Sequence, residues 1–164
     1  MKQKEKRKLR RLGKVLFVMY IAFLIYFLIF SDWYGRAGQE NYQYNLILFK
    51  EIKNYWYHRE ILGWVAYSNL IGNILIFVPF GFFMPMASKY RSLVLTFFYS
   101  FGLSLMVEFF QLVTKVGSFD VDDLLLNTLG GVAGFIIFII CNAIRRWHDV
   151  DRKGKRTNPR KRKR

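Results

Sequence analysis

Residues 108–134, EFFQLVTKVGSFDVDDLLLNTLGGVAG, decide how the whole chain is read. An apolar segment carrying Glu108 and Gln111 turns through Ser118, Phe119, Asp120, Val121, Asp122 and Asp123 into a second apolar segment carrying Asn127. A carboxylate at membrane depth costs about 2.5 to 3.5 kcal/mol on insertion scales, so ionisable groups inside apolar sequence face a protein interior and mark a site. After the turn, Leu124 to Ile144 covers about 21 residues, roughly 31 Å of helix and enough to cross a hydrocarbon core. Asp120 stands as its N-cap, with Asp123 three positions on in a carboxylate version of the capping box. Gly130 and Gly134 form a small-xxx-small pair, and Asn127, Gly131 and Gly134 are expected on one face along which another helix can approach closely.

Working outward, Leu93 to Val113 carries Thr96, Ser100, Ser104, Glu108 and Gln111, each three or four residues after the last. That spacing lines up one polar ridge on a helix. Before it, Trp64 to Met86 is apolar but punctuated by Asn69, Gly72, Asn73, Pro79, Gly81 and Pro85. Pro79 removes a backbone donor and predicts a kink, tolerated at membrane depth only where neighbours satisfy the freed carbonyl. Residues 31–62 mix charges with eight aromatic side chains, the composition of a membrane–water interface, and Leu46, Phe49, Ile52, Lys53 and Trp56 follow an approximate helical spacing. Val15 to Phe30 is apolar after a basic start, and it ends in Ser31, Asp32, Trp33 and Tyr34 without a small-x-small cleavage pattern. It is expected to be an uncleaved anchor whose polar atoms are the hydroxyls of Tyr20 and Tyr26.

The composition agrees. Of the 164 residues 53% are hydrophobic, more than the roughly 45 to 50% of soluble domains. The expected fold is an all-α membrane protein: four transmembrane helices (15–30, 64–86, 93–113 and 124–144) in a bundle, with an amphipathic interfacial segment between the first two. The formal charge of +15 is concentrated at the ends, with eight Lys or Arg in residues 1–14 and eleven in residues 145–164. This distribution argues against a nucleic-acid-binding surface and places both termini in the cytoplasm, in the cell membrane of a multi-pass protein. Residues 1–14 and the tail 145–164, expected to be disordered, then meet anionic lipid headgroups. Cys141 is expected to be a small buried residue, since a single cysteine allows no intrachain disulfide. His58 and His148 fit no metal-binding spacing, and no cofactor is indicated.

With that orientation, Asn69, Asn73, Glu108, Gln111, Asp123 and Asn127 come to one depth in the outer half of three helices. In one reading they satisfy one another, with Asn69 and Asn73 bridging to Glu108 and with Asp120 and Asp123 doing no more than capping. In the other they line a pocket open to the outer leaflet. Glu108 and Asp123 would then be an acid–base pair or counter-ions for an amine, while Asn69, Asn73, Gln111 and Asn127 orient a polar headgroup. Average interhelical polar bonds in membranes contribute only about 0.6 kcal/mol, which favours the pocket.

Three segments in order, Asn69 to Gly81 (NLIGNILIFVPFG), Glu108 to Gln111 (EFFQ) and Phe119 to Gly131 (FDVDDLLLNTLGG), resemble the VanZ-like family of bacterial membrane proteins. Tyr44 to Lys50 (YNLILFK) resembles the family's Asn-Leu-Ile-Pro-Phe stretch, with Leu48 where proline is usual. Gly117 and Ser118 stand where many members have an arginine. Matched to the family's polar motif are Asn69, Asn73, Glu108, Gln111, Asp120, Asp123 and Asn127. The resemblance implies an effect on susceptibility to lipid-tailed glycopeptides such as teicoplanin, and no reaction. Three functions stay open: a binding protein for an outer-leaflet lipid or lipid-linked cell-wall precursor, an enzyme on such a lipid using Glu108 and Asp123, and a small transporter that would need to oligomerise.

Overall fold

The computed structural model describes residues 3–30, 42–115 and 117–157. The chain is mostly helical, with α1 (Gln3–Phe30), α2 (Lys50–Tyr57), α3 (Arg59–Leu62), α4 (Trp64–Ala87), α5 (Leu93–Thr114) and α6 (Val121–Thr157). Two short strands, β1 (Tyr44–Asn45) and β2 (Phe119–Asp120), pair in parallel, with Tyr44 opposite Phe119 and Asn45 opposite Asp120. Among the described residues three helical stretches are long and apolar enough to cross a membrane: Trp64–Ala87, Leu93–Thr114 and Val121–His148. The apolar part of α1 is shorter than the about 17 to 25 residues usual for a span, and basic residues precede it.

Two boundaries differ from the sequence expectation. α1 begins within the basic segment rather than at Val15. α6 continues past Ile144 to Thr157, so the expected disorder of residues 145–164 is corrected for 145–157. Lys and Arg, the largest group in residues 145–157, are good helix formers. Residues 158–164 lie outside the described residues, as do 31–41 in the expected interfacial segment. The rest of that segment forms β1, α2 and α3 with their connecting turns.

α4 is the central helix. α1 runs antiparallel to it: Gly13 lies against Met86, Phe17 packs on Phe80 with ring centroids 5.6 Å apart, and the Tyr20 hydroxyl donates to the Ile76 carbonyl at 2.6 Å. This last bond falls beside the gap that Pro79 leaves in the backbone ladder, and α4 continues through both Pro79 and Pro85. α6 runs parallel to α4 with backbones close together. A Cβ at Gly130 would collide with the Ile74 carbonyl, and one at Gly134 with the Val78 carbonyl. One turn further, Phe82 and Phe138 meet edge to face at 6.0 Å.

α5 packs antiparallel on α6 through its polar ridge. Thr96, Ser100, Ser104 and Glu108 are all buried. A Cβ at Gly131 would meet the Ser100 side chain, and Asn127 donates to the Ser104 hydroxyl at 2.9 Å. The small residues of α6 therefore divide between two partners, Gly130 and Gly134 toward α4 and Asn127 toward α5. They do not present a single face, because a helix wedged between two others needs small residues on both sides. Cys141, expected to be buried, is exposed on α6.

Candidate functional site

At the end of the bundle where α4 and α6 begin and α5 ends, four segments distant in sequence are tied by carboxylates. The Asp120 Oδ1 atom accepts the Asp122 N–H at 2.7 Å and the Asn45 amide at 3.1 Å. Asp120 is therefore the expected cap of α6 and also the link between the two strands. Its own N–H donates to Glu108 Oε2 at 2.9 Å. In a capping box that donor would go to the side chain three residues on. Here Glu108 takes it from another helix, and Asp123 instead accepts a hydrogen bond from Asn73 of α4. Burial pushes the Asp120 carboxyl above its ordinary value, while the hydrogen bonds from Asp122 and Asn45 act the other way.

Asp122 is 1% exposed and acts as a cap in trans. Its carboxylate accepts the N–H groups of Phe49, of Glu51 at 2.8 Å and of Ile52 at 3.1 Å, all at the start of α2. Phe49, the residue before α2, has a left-handed backbone with φ of 63° and supplies no side-chain cap. A bulky residue in that conformation is strained, and a distant carboxylate gripping the first turn explains how it is held. Asn45 completes the turn by accepting the Ile47 N–H at 3.1 Å.

Beside this clasp opens a cleft of about 1120 Å³ that all seven residues singled out in the sequence border. Asn69 and Asn73 come from α4, Glu108 and Gln111 from α5, Asp120 from β2, and Asp123 and Asn127 from α6. Their partners differ from the mutual bridge considered above. Asn73 pairs with Asp123 rather than Glu108, and Asn69 donates to the Val65 carbonyl of its own helix at 2.9 Å. Gln111 packs beside Gly117. Glu108 is only 2% exposed. The cleft continues between α1 and α4, bordered by Phe23, Leu24 and Phe27 of α1 and by Ile71, Leu75 and Phe83 of α4.

Asp122, Asn45 and Ser104 were not among the sequence candidates. Asp122 had a signal, a third carboxylate in a turn that needed one cap, but its partner lies more than 70 positions away. Among the described residues no group of three His, Cys, Asp or Glu side chains is arranged to hold a metal ion.

The opposite end of the bundle is cationic. Arg91, in the turn between α4 and α5, has its guanidinium pushed below the ordinary value, first by burial and then by Arg145, Arg10 and Arg146 nearby. Its guanidinium also lies 5.3 Å from the centroid of the Phe138 ring.

Fold and site together define a class: a helical protein with three helices apolar and long enough to cross a membrane, a carboxylate-rich cleft at one end and an arginine cluster at the other. The family model described as VanZ/LLP1 matches residues 17–142, and the chain belongs to this VanZ-like family. It is similar to Protein VanZ of Enterococcus faecium, with 28% identity over 144 residues, covering 86% of this chain and 82% of that protein. No solved structure matches the chain.

Proposed function

We propose that the protein is a multi-pass protein of the cell membrane whose cleft takes up an outer-leaflet lipid or lipid-linked cell-wall precursor and thereby alters susceptibility to lipid-tailed glycopeptides such as teicoplanin. α1 is the fourth span, and α2 and α3 lie at the interface. Both termini are cytoplasmic: the arginine cluster joins the start of α1, the α4–α5 turn and the end of the α6 span, which is how cytoplasmic ends are marked. The single observation that carries the reading is the cleft, which is bordered by polar side chains from three apolar helices and β2. Family membership supplies the antibiotic context.

The test is a susceptibility assay in a sensitive bacterium expressing the wild-type protein or Glu108→Gln. The variant keeps shape and removes charge. The expected result is protection against a lipid-tailed glycopeptide by wild type and its loss in the variant at equal membrane abundance. Full protection by Glu108→Gln would overturn the charged-cleft reading. A reporter after Arg164 and a tag inserted near Gly38 should report opposite sides of the membrane. Finding both on one side would overturn the orientation.

A further inference from the structure

We infer that the occupant of the cleft is a zwitterionic phospholipid with a primary amine, its ammonium at Asn127, Asp123 and Glu108, its phosphate toward Lys50, and an acyl chain in the groove between α1 and α4. The inference rests on the lipid-binding reading above and names the chemistry of the ligand.

The starting point is an unmet hydrogen-bond acceptor. Asn127 is 4% exposed and borders the cleft. Its Nδ2 donates to Ser104, but its Oδ1 is buried without a partner among the described residues. A buried polar atom left unpaired costs about 1 to 3 kcal/mol, so a ligand supplying a donor there recovers that loss on binding. The other polar groups around it sharpen the choice. Oε2 of Glu108 and Oδ1 of Asp123 are the oxygens engaged within the protein, and both carboxylates border the same cleft. A site that offers acceptor oxygens from an amide and two carboxyl groups selects a ligand with several N–H donors, and a cationic donor gains most from the carboxyl groups. A primary ammonium has three such donors, whereas a trimethylammonium has none.

The remainder of the cleft identifies what carries the ammonium. Lys50 is the one cation among the described residues that border it, and it lies at the start of α2 above the carboxylates. It complements a phosphate one short linker from the amine. Beside the polar groups the lining is aromatic and aliphatic, with Phe23, Leu24 and Phe27 of α1 level with the stretch from Asn69 to Asn73, and along α4 it continues through Leu75, Phe77 and Phe83. Along α4 the bordering residues run from Trp64 to Phe83, about 28 Å at the helical rise. That length fits a headgroup and an extended acyl chain. A soluble amine would leave the apolar groove empty, and a purely anionic lipid would set its charge against Glu108 and Asp123.

The test uses the full-length protein in a nonionic detergent and three monoacyl phospholipids of one chain length: phosphatidylethanolamine, its N-acetyl derivative and phosphatidylcholine. Binding is read by native mass spectrometry. Wild type should bind the primary amine about tenfold or more tightly than either of the others, the loss expected when charge-assisted hydrogen bonds are removed. Lys50→Gln, a change at an exposed position, should weaken phosphatidylethanolamine but leave a primary alkylamine of the same chain length, measured alongside as a probe without phosphate, unaffected. Equal binding of the primary amine and its N-acetyl derivative would overturn the ammonium assignment while leaving a lipid-binding cleft intact. Failure of wild type to bind any of the three would also overturn the inference. The susceptibility assay with Glu108→Gln judges the broader reading separately.

Discussion

Along the seam from Ile74 to Phe138, α4 and α6 meet through glycine, and their carbonyls occupy space that a side chain would need. At the acidic end, α2, α5, α6 and the strand pair meet through carboxylates that accept backbone N–H groups. The seam depends on shape, with the Asn73–Asp123 hydrogen bond at its acidic end. The clasp depends on directional bonds and uses Asp120, Asp122 and Glu108. The difference reflects what each contact must do. Two regular helices satisfy their own backbones and need only close approach, whereas a helix start or a turn leaves N–H groups that must find acceptors. Such acceptors concentrate charge at the bundle end, and the same end supplies the lining of the cleft.

The sharpest way to break this comparison is to fill the seam. Gly134→Leu should abolish folded protein, since even a Cβ there collides with backbone, and the cost should exceed the about 1 to 3 kcal/mol typical of overpacking. Yield and thermal unfolding in detergent would measure it, and wild-type behaviour would disprove the close approach. Gly131→Ala offers a finer test, because its collision is with the Ser100 side chain. Ser100→Gly should partly rescue Gly131→Ala and give no rescue to Gly134→Ala.

At the clasp, Asp122→Ala should cost about 3 kcal/mol, because a buried carboxylate taking three N–H bonds is lost and those donors are left unpaired. Proteolysis between β1 and α2 should rise in parallel. Asp122→Asn should retain about half of that stability, since an amide keeps one acceptor oxygen. Equal losses for the two variants would mean that shape, not acceptor capacity, holds α2. Smaller again is Tyr20→Phe, which removes the bond to Ile76 and should lower stability by about 1 kcal/mol with the α1–α4 packing retained. A Tm equal to wild type would show that the Tyr20 hydroxyl adds nothing to the α1–α4 contact.

Exposed Cys141 gives a final, mild check on the lateral surface of α6. It should react with a small membrane-permeant maleimide in the native protein, without loss of the fold. Protection that disappears only on unfolding would place a partner surface over α6.

The sequence by itself determined three helices apolar and long enough to cross a membrane and much of the material of the cleft. Apolar runs of sufficient length mark helices because the backbone must satisfy itself in hydrocarbon. The ridge from Thr96 to Gln111 and the pair Gly130 and Gly134 are visible because helical periodicity is local. Seven of the polar residues that border the cleft could be named as well, each an exception within or beside an apolar run. What only the tertiary structure decided is the pairing. That Asp122 holds the first turn of α2, that Glu108 rather than Asp123 takes the Asp120 N–H, that Asn73 meets Asp123, and that Gly130 and Gly131 turn to different neighbours all depend on packing between segments up to about 70 residues apart. A carboxylate in a turn announces that it will accept hydrogen bonds, but several donors are chemically equivalent to it. Only the packed helices decide which of them lies within reach.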